Sequence, residues 1–380
     1  MILPGEKVVL VLQGGGALGA YQAGAYEALS EAGIEPDWVA GISIGAVNGA
    51  IIAGNKPEDR VARLREFWEG ISDGTASTPF GNTEFRVALN EFNAARVMTF
   101  GVPGFFAPRI PSAMFMPPGS RNALSFYETS PLRETLERLV DFDALNNGKV
   151  RYSAGAVEIT SGNFHYFDTA DCEVGVAGVM ASAALPPGFP PVEIDGKYYW
   201  DGGVVSNTPM QYLLEMTGRR DDSCVFQLDL FSARGRTPQS IPDVIQREKE
   251  IRYSSRTRLN TNFFLELQSI RRAARRLLDK LPPELKDDPD AKLLGAHTCD
   301  AAITIVHLIH RRAAYERFSM DYEFSRLSML EHWRAGLDDV RHTLNHPVWR
   351  ERRKPELGVT VLDLTREEEG AMKAFAEETR

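Results

Sequence analysis

A run of glycines near the start of the chain is the feature that most constrains its fold. The apolar segment KVVLVLQ (7–13) has the composition of a strand, and the glycine-rich segment GGGALG (14–19) follows it directly. A helical pattern then extends to Gly33. Consecutive glycines let the backbone turn sharply without a Cβ in the way. Their N–H groups converge beside a helix N-terminus, which suits an anion.

The next two hundred residues continue the alternation of strand and helix. DWVAGIS (37–43) predicts a second strand and AVNGAIIAG (46–54) a second helix, with further strands at 150–160, 163–169 and 224–231. A β-α-β-α order implies parallel strands whose crossover helices cover the faces of the sheet. The first part of the chain is therefore predicted to be an α/β domain.

The pattern changes after about residue 235. Four helices are predicted from apolar periodicity, at 241–256, 263–281, 302–318 and 325–344. We therefore divide the chain into an α/β domain over 1–235 and a helical C-terminal extension over 236–380.

Residues 101–120, GVPGFFAPRIPSAMFMPPGS, interrupt the alternation with five prolines and several Phe and Met residues. Irregular segments of this length are usually functional or disordered. The apolar content favours a lid or a lipid-contacting flap.

The charge of the chain is unevenly distributed. Residues 1–235 carry 17 Lys and Arg against 28 Asp and Glu, whereas the remainder carries 26 against 24. An acidic first part argues against a nucleic-acid partner. Three cysteines, no segment with the features of a signal peptide and no membrane-spanning apolar run together predict a cytoplasmic location. The sequence leaves the oligomeric state open.

The segment Gly41-Ile42-Ser43-Ile44-Gly45 lies between a predicted strand and a predicted helix. This G-x-S-x-G pattern in that setting is typical of a nucleophile elbow, which exposes a serine hydroxyl at the carboxyl edge of the sheet. Because the glycine run also ends a strand, we expect both turns to border one crevice.

A base for Ser43 has to be found elsewhere in the chain. The first 235 residues contain a single histidine, His165, which falls in a predicted hairpin. Asp201-Gly202-Gly203 follows a strand of aromatic residues, so this aspartate is expected at a strand end. Together with the glycine run and the serine motif, Asp201 becomes the favoured base.

Taken together, these motifs resemble those of the bacterial patatin-like phospholipase family over roughly residues 6–230. The matching features are the G-x-G-x-x-G of 14–19, the G-x-S-x-G of 41–45, the D-G-G of 201–203, the segment ASAALPPGFPP (181–191) and Asn207-Thr208-Pro209. The resemblance implies a three-layer α/β/α fold with a mostly parallel central sheet. It also implies hydrolysis of lipid acyl esters without metal or cofactor.

The resemblance implies roles for individual residues. Ser43 is expected to be the nucleophile and Asp201 the general base. The amides of Gly14, Gly15 and Gly16 are expected to form an oxyanion hole. The remaining motif glycines are expected to support these turns: Gly19, Gly41, Gly45, Gly202 and Gly203. One departure is Leu18, where many members carry arginine.

Other assignments remain open from the residues. An α/β-hydrolase esterase would also use G-x-S-x-G, with His297 or His332 as its histidine. A dinucleotide-binding oxidoreductase would use the glycine run with Glu35 or Asp37. The same serine and aspartate would equally serve an esterase, a thioesterase or an intracellular polyester depolymerase. The chain could also be a catalytically idle scaffold that binds lipid or a partner.

The predicted helix over 263–278 is basic and amphipathic. Its apolar side is predicted from Phe263 to Leu278, with Arg271, Arg272, Arg275 and Arg276 opposite. Such a helix either packs its apolar side on the core or lies on an anionic membrane. Peripheral membrane contact is therefore a partner hypothesis alongside the lipid or acyl-ester substrate.

Overall fold

The computed structural model describes residues 1–72, 83–216, 221–254, 257–299, 301–355 and 358–365, with side chains described outside 214–216 and 257–265. The strands and helices, in chain order, are β1 Lys7–Leu12, α1 Ala20–Glu31, β2 Trp38–Ile42, α2 Ile44–Ala53, α3 Pro57–Gly70, α4 Thr83–Phe100, β3 Ala107–Pro108, β4 Tyr127–Glu128, α5 Ser130–Leu139, α6 Phe142–Asn147, β5 Arg151–Glu158, β6 Phe164–Asp168, α7 Val176–Ser182, β7 Val192–Ile194, β8 Lys197–Asp201, α8 Met210–Met216, β9 Ser223–Asp229, α9 Ile241–Tyr253, α10 Thr257–Leu278, α11 Pro289–His297, β10 Ile303–Ile309, α12 Arg326–Asn345, α13 Pro347–Arg350 and β11 Val359–Asp363.

Within these residues, one nine-stranded sheet organises the fold. Its order is β11-β10-β9-β1-β2-β5-β8-β7, and β6 also pairs with β5. The run from β11 to β5 is parallel, whereas β6, β7 and β8 are added in antiparallel pairings. The predicted mostly parallel α/β sheet is confirmed.

Strand β1 shows why the sheet lies in the middle of the molecule. Val8, Leu10 and Leu12 point into a core formed with α1, α2 and α12, whereas Val9 and Val11 point into a smaller core on the other face. All five side chains are buried. A strand that is apolar on both sides can be stable only when both faces of the sheet are covered. The helices therefore lie on both faces.

The prediction of a helix over 302–318 is wrong. Residues Ile303–Ile309 form β10, which is almost fully buried and pairs in parallel with β9. A short, continuously apolar run suits a buried parallel strand as well as a buried helix, and periodicity cannot separate the two. With β11 beside β10, the sheet crosses the predicted domain boundary at residue 235. The division at that residue stays a prediction.

The helix predicted over 325–344 is confirmed as α12, and it packs directly on α1. A Cβ on Gly24 would overlap the carbonyl oxygen of Trp333, and a Cβ on Gly336 would overlap that of Tyr21. The two backbones therefore touch at reciprocal glycines. The contact is extended by polar bonds, including one from the Tyr21 hydroxyl to Asp339 at 2.8 Å.

The proline-rich segment 101–120 has two different parts. Phe105 and Phe106 are buried in the main core. Ile110, Met114 and Phe115 are between 78% and 91% exposed. The segment is thus anchored at one end and presents large apolar side chains to solvent at the other.

The basic helix is confirmed as α10, but its apolar side chains are not all buried. Ile270 and Leu277 are 59% and 61% exposed, and Gln268 is the buried position, donating to the carbonyl of Ala301. The predicted apolar position Phe263 lies outside the described side chains. Among the described helices, none combines the length and the apolar character needed to span a bilayer.

The close approach of α1 and α12 gives a stability prediction. Alanine is the better helix former by about 0.5–1 kcal/mol, but Gly336→Ala places a methyl group on the Tyr21 carbonyl. Overpacking costs about 1–3 kcal/mol, so we expect a net loss of stability in urea denaturation. The matched control is Gly70→Ala at the end of α3, where a Cβ would meet nothing within 4 Å. Equal stability of the two variants would contradict this packing.

Candidate active site

The two sequence motifs meet at the carboxyl ends of neighbouring strands. Strands β1 and β2 are parallel, and Leu12 pairs with Gly41 in their register. The glycine loop that follows Leu12 and the turn that contains Ser43 are therefore side by side. The crevice predicted from the sequence lies where open parallel sheets generally bind ligands.

Ser43 occupies a sharp turn between β2 and α2. Its φ of 55° and ψ of −125° are unusual for a residue with a side chain. Its N–H donates to the Ser182 hydroxyl at 3.0 Å, and that hydroxyl donates to the Gly155 carbonyl of β5 at 2.6 Å. Side chains at Gly41 or Gly45 would overlap neighbouring backbone, so both glycines are needed for the turn.

Asp201 ends β8, opposite Ala156 of β5. Its carboxylate is buried: Oδ1 accepts the Gly203 N–H at 2.7 Å, and Oδ2 has no hydrogen-bond partner in the described part of the chain. Burial raises the pKa of Asp201 from its ordinary 3.8 to about 7, although the Ser43 side chain and the Gly203 N–H both favour the ionised form. Oδ2 is thus the atom available to Ser43.

The glycine loop is held by Asn207. The Gly14 N–H donates to the Asn207 carbonyl at 3.2 Å, and the Asn207 side-chain amide donates to the Gly14 carbonyl at 3.0 Å. The Gly14 N–H is therefore occupied, unlike the free donor that the sequence led us to expect. Among the described residues, the N–H groups of Gly15 and Gly16 have no hydrogen-bond partner.

Gly16 brings the C-terminal region into contact with the loop. Its φ is +54°, and a Cβ there would overlap the Asp321 carbonyl oxygen. The same carbonyl accepts the N–H of Ala17 at 2.8 Å. The segment around Asp321 is therefore a structural support of the glycine loop.

A buried network of amide side chains lies beneath the loop. Gln13 accepts the N–H groups of Leu230 and Phe231 at 2.6 and 2.8 Å. Gln22 donates to the Gln13 carbonyl at 2.8 Å, and Asn48 donates to Gln22 at 3.0 Å. Buried amides that are fully paired in this way hold a loop rigidly.

The turns open into a cavity of about 380 Å³. Its polar lining includes Gly15, Gly16, Ser43 and Asp201. Much of the remaining lining is a group of aromatic rings that contact one another: Phe105, Phe106, Tyr127, Phe189 and Phe324. An apolar cavity with a few convergent polar groups is the usual form of a ligand site.

The C-terminal region supplies one wall of this cavity. Asp321, Tyr322 and Phe324 line it, although they lie in the region predicted to be an extension. Lys249 of α9 fixes their segment, because its ammonium contacts the Asp321 carboxylate at 2.8 Å and the Phe318 carbonyl at 2.7 Å. The site is therefore built from both parts of the chain.

The remaining motif glycines lie next to these turns. Gly19 ends a short 3₁₀ helix after the loop, and a Cβ there would press on Ile44 and Trp68. Gly202 and Gly203 form the turn after Asp201, where Gly202 approaches the carbonyl of Gly155.

No histidine is among the described residues that line the cavity. His165 lies on β6, which pairs antiparallel with β5 and so forms the predicted hairpin. Its ring contacts those of Phe167 and Tyr199. His332 is buried against Glu316, and His297 ends α11. Neither His297 nor His332 lines the cavity with Ser43. The acids offered for a dinucleotide site are bonded elsewhere, Asp37 to the N–H of Val8 and Glu35 to Arg60.

Two residues with structural roles in the site were not assigned from the sequence. Ser182 holds the N–H of Ser43, and Asn207 joins the glycine loop to the carbonyl of Tyr253 at the end of α9. Both fall in segments that carried the family resemblance, so the sequence indicated that these segments matter. It gave no indication of which residues Ser182 and Asn207 would bond to. Those partners lie 139 and 46 residues away in the sequence.

Comparison with known proteins identifies the family. A model described as patatin-like phospholipase matches residues 10–214, just over half of the chain, and a second, described as patatin phospholipase, matches residues 251–356. The chain belongs to the patatin-like phospholipase family. The second match extends the resemblance into the region that the sequence motifs had left outside it.

Individual relatives are more distant. Lysophospholipase NTE1 of Candida glabrata is 29% identical over 254 residues, which is 64% of this chain and 12% of that protein. An NTE family protein of Mycobacterium bovis is 26% identical over 208 residues, 54% of this chain and 28% of its own length. The chain thus spans a small part of these relatives. VipD from Legionella pneumophila gives a TM-score of 0.38 at 14% identity, covering 99% of this chain and 75% of that one.

The burial of Asp201 gives a pH-dependent stability prediction. Because the folded-state pKa is raised to about 7, ionisation of Asp201 lowers stability progressively between about pH 4 and pH 7. The shift corresponds to up to about 4 kcal/mol above pH 7. Asp201→Asn cannot ionise, so we expect it to be more stable than the wild type at pH 8, with a smaller gain at pH 5. Urea denaturation at both pH values measures this.

The control is Asp287→Asn, an aspartate whose side chain is 92% exposed, and it should show no comparable gain at pH 8. If Asp201→Asn lost stability by the same amount at both pH values, the carboxylate would not be the strained group that its burial implies.

Proposed function

We propose that this protein is a serine acyl hydrolase of lipid esters, with Ser43 as nucleophile and Asp201 as general base. The observation that carries the proposal is the buried Asp201 carboxylate, whose unpartnered Oδ2 borders the same cavity as Ser43. An aspartate with a pKa near 4 is a weak base at neutral pH. One with a pKa of about 7 is matched to accept a proton there.

In the first step, Ser43 Oγ attacks the ester carbonyl carbon and its proton passes to Asp201. The N–H groups of Gly15 and Gly16 are the free donors for the resulting oxyanion. Removing one such donor typically costs about 3–4 kcal/mol in the transition state. Gly14 has a different part, since its bonds to Asn207 hold the loop in place.

In the second step, the tetrahedral intermediate collapses. The alcohol leaves with the proton from Asp201, and the acyl group remains as an ester on Ser43. Water then attacks this ester while Asp201 takes one of its protons. As the fatty acid leaves, Asp201 returns that proton to Ser43 Oγ, which regenerates both groups. One aspartate thus serves as base and acid in turn, and no histidine is required.

The substrate proposal rests on the shape of the cavity. Its aromatic lining suits an acyl chain, and about 380 Å³ is near the low end of the roughly 300–1,000 Å³ typical of small-ligand sites. Met98 and Leu185 line the cavity and are 58% and 36% exposed, so the mouth is apolar too. The named relatives include lysophospholipases. We therefore propose a single-chain lysophospholipid as the first substrate to test.

The proposal predicts that Ser43→Ala and Asp201→Asn each lower kcat at least about a thousandfold, because either change removes the nucleophile or its base. Release of fatty acid from a lysophospholipid measures the effect. The control is His165→Ala, which we expect to keep near-normal kcat. Full activity in Asp201→Asn together with loss in His165→Ala would overturn the dyad.

The same preparations separate the alternatives. Labelling by a fluorophosphonate probe should occur in the wild type and not in Ser43→Ala, whereas an idle scaffold would not be labelled. Diacyl phospholipid, glyceride, thioester and polyester, tested beside the lysophospholipid, identify the class of ester that is cleaved.

We also propose that α10 and α11 contact anionic membranes. Ile270 and Leu277 of α10 and Leu293 of α11 are 59–61% exposed, and Arg275 and Arg276 are exposed beside them. Exposed apolar groups flanked by arginines suit the boundary between anionic head groups and acyl chains.

Neutralising Arg271, Arg272, Arg275 and Arg276 to glutamine is expected to reduce sedimentation with anionic vesicles, and 0.5 M salt should reduce wild-type binding similarly. The matched control removes the same charge elsewhere, by glutamine substitution of four partly or highly exposed arginines: Arg63, Arg121, Arg133 and Arg334. Equal binding by both fourfold variants would contradict docking through α10.

A further inference from the structure

A buried cluster of two histidines and a glutamate lies in the C-terminal region. His310 follows β10, Glu316 lies in the segment after it, and His332 is on α12. All three are 5% exposed. One ligand atom from each lies within 4.8 Å of the other two. None of them lines the cavity next to Ser43, so this is a second group of ionisable side chains.

The three side chains present a donor set suited to a transition metal. Glu316 Oε1 is 2.5 Å from His332 Nε2, and Glu316 Oε2 is 3.6 Å from His310 Nε2. With zinc–ligand distances of about 2.0–2.2 Å, tetrahedral ligands lie about 3.3–3.5 Å apart. The second pair already has nearly this spacing, and the first needs to open by about 1 Å. Two imidazoles and one carboxylate are a common protein set for zinc.

His310 has an unexplained environment. It is buried between the rings of Tyr21 and His332, at centroid distances of 5.3 and 5.1 Å. Neither of its ring nitrogens has a hydrogen-bond partner among the described residues, and His332 Nδ1 also lacks one. A buried imidazole without partners costs free energy. A cation held by Nε2 of each ring and by Glu316 would satisfy the atoms that face each other.

Carboxylates surround the cluster. Glu316 is buried beside both histidines, and Glu323 is also buried. Glu323 and Glu331 both act electrostatically on His332. This concentration of negative charge favours a cation at the cluster.

We propose that His310, Glu316 and His332 form a zinc site that ties the end of β10 to α12. The segment between Glu316 and α12 carries Asp321, Tyr322 and Phe324 to the cavity. Zinc here would therefore have a structural role, because it would hold in place the segment that forms one wall of the cavity. The site is independent of the ester chemistry proposed for Ser43.

The test measures metal bound by the full-length protein. After exposure to Zn²⁺ and desalting, we expect about one zinc per chain by elemental mass spectrometry. Co²⁺ should give the visible bands of a four- or five-coordinate nitrogen–oxygen site. His310→Gln and His332→Gln should each weaken zinc binding at least about a hundredfold, since loss of outer partners alone weakens it about 10–100-fold. The matched control is His307→Gln, another buried histidine on β10, which should bind zinc normally.

Wild-type protein that holds no zinc or cobalt would overturn the proposal and leave a metal-free cluster of two histidines and a glutamate. Equal loss of zinc in His307→Gln would overturn it too. If His332→Gln fails to fold, three measurements still test the proposal: the zinc content of the wild type, its cobalt spectrum and zinc binding by His310→Gln. A rise in melting temperature with Zn²⁺ in the wild type, absent in His310→Gln, is the second supporting measurement.

Discussion

The pairing of Leu12 with Gly41 is the contact on which the site depends. It places two tight turns at adjacent carboxyl ends of a parallel sheet, so that the Gly15 and Gly16 amides and Ser43 border one cavity. Such turns have few hydrogen bonds of their own. The structure compensates with side chains that bond to the backbone, namely Asn207 at the glycine loop and Ser182 at the serine turn. Geometry is fixed here by buried polar groups, each satisfied by a partner from a distant part of the chain.

The same arrangement explains why the pKa of Asp201 is raised. Antiparallel β8 brings Asp201 to the edge of the parallel strands, where walls from both parts of the chain keep water away from its carboxylate. Desolvation raises the pKa to about 7. A carboxylate buried in this way lowers the stability of the fold at neutral pH, and such costs are common at functional sites. The enclosure needs the C-terminal region, because Asp321 supports the glycine loop and Phe324 is part of the aromatic lining.

Sequence reasoning identified the family and the mostly parallel sheet because the signals for both are local. The glycine run, the serine turn and the strand before Asp201 are each contiguous, and the α/β order that joins them follows from alternating patterns. Sequence reasoning failed where a residue's structure depended on contacts with residues far away in the sequence. Ile303–Ile309 was assigned to a helix because a buried parallel strand has no distinctive period. Asn207 gave no sign that it would occupy the Gly14 N–H, so that donor was wrongly counted as free. The amphipathic pattern of α10 was correct, but it could not show that Ile270 faces solvent.

The position of β10 affects how the two family matches should be understood. Strand β9 has β1 on one side and β10 on the other, so both of its edges are hydrogen-bonded. A chain ending near residue 235 would lack β10, and the backbone groups along that side of β9 would be exposed. Bare strand edges of this kind invite self-association. The face of α1 that receives Gly336 would be uncovered as well. The segment after residue 235 thus covers this edge of β9 and moves the edge of the sheet to the five-residue strand β11.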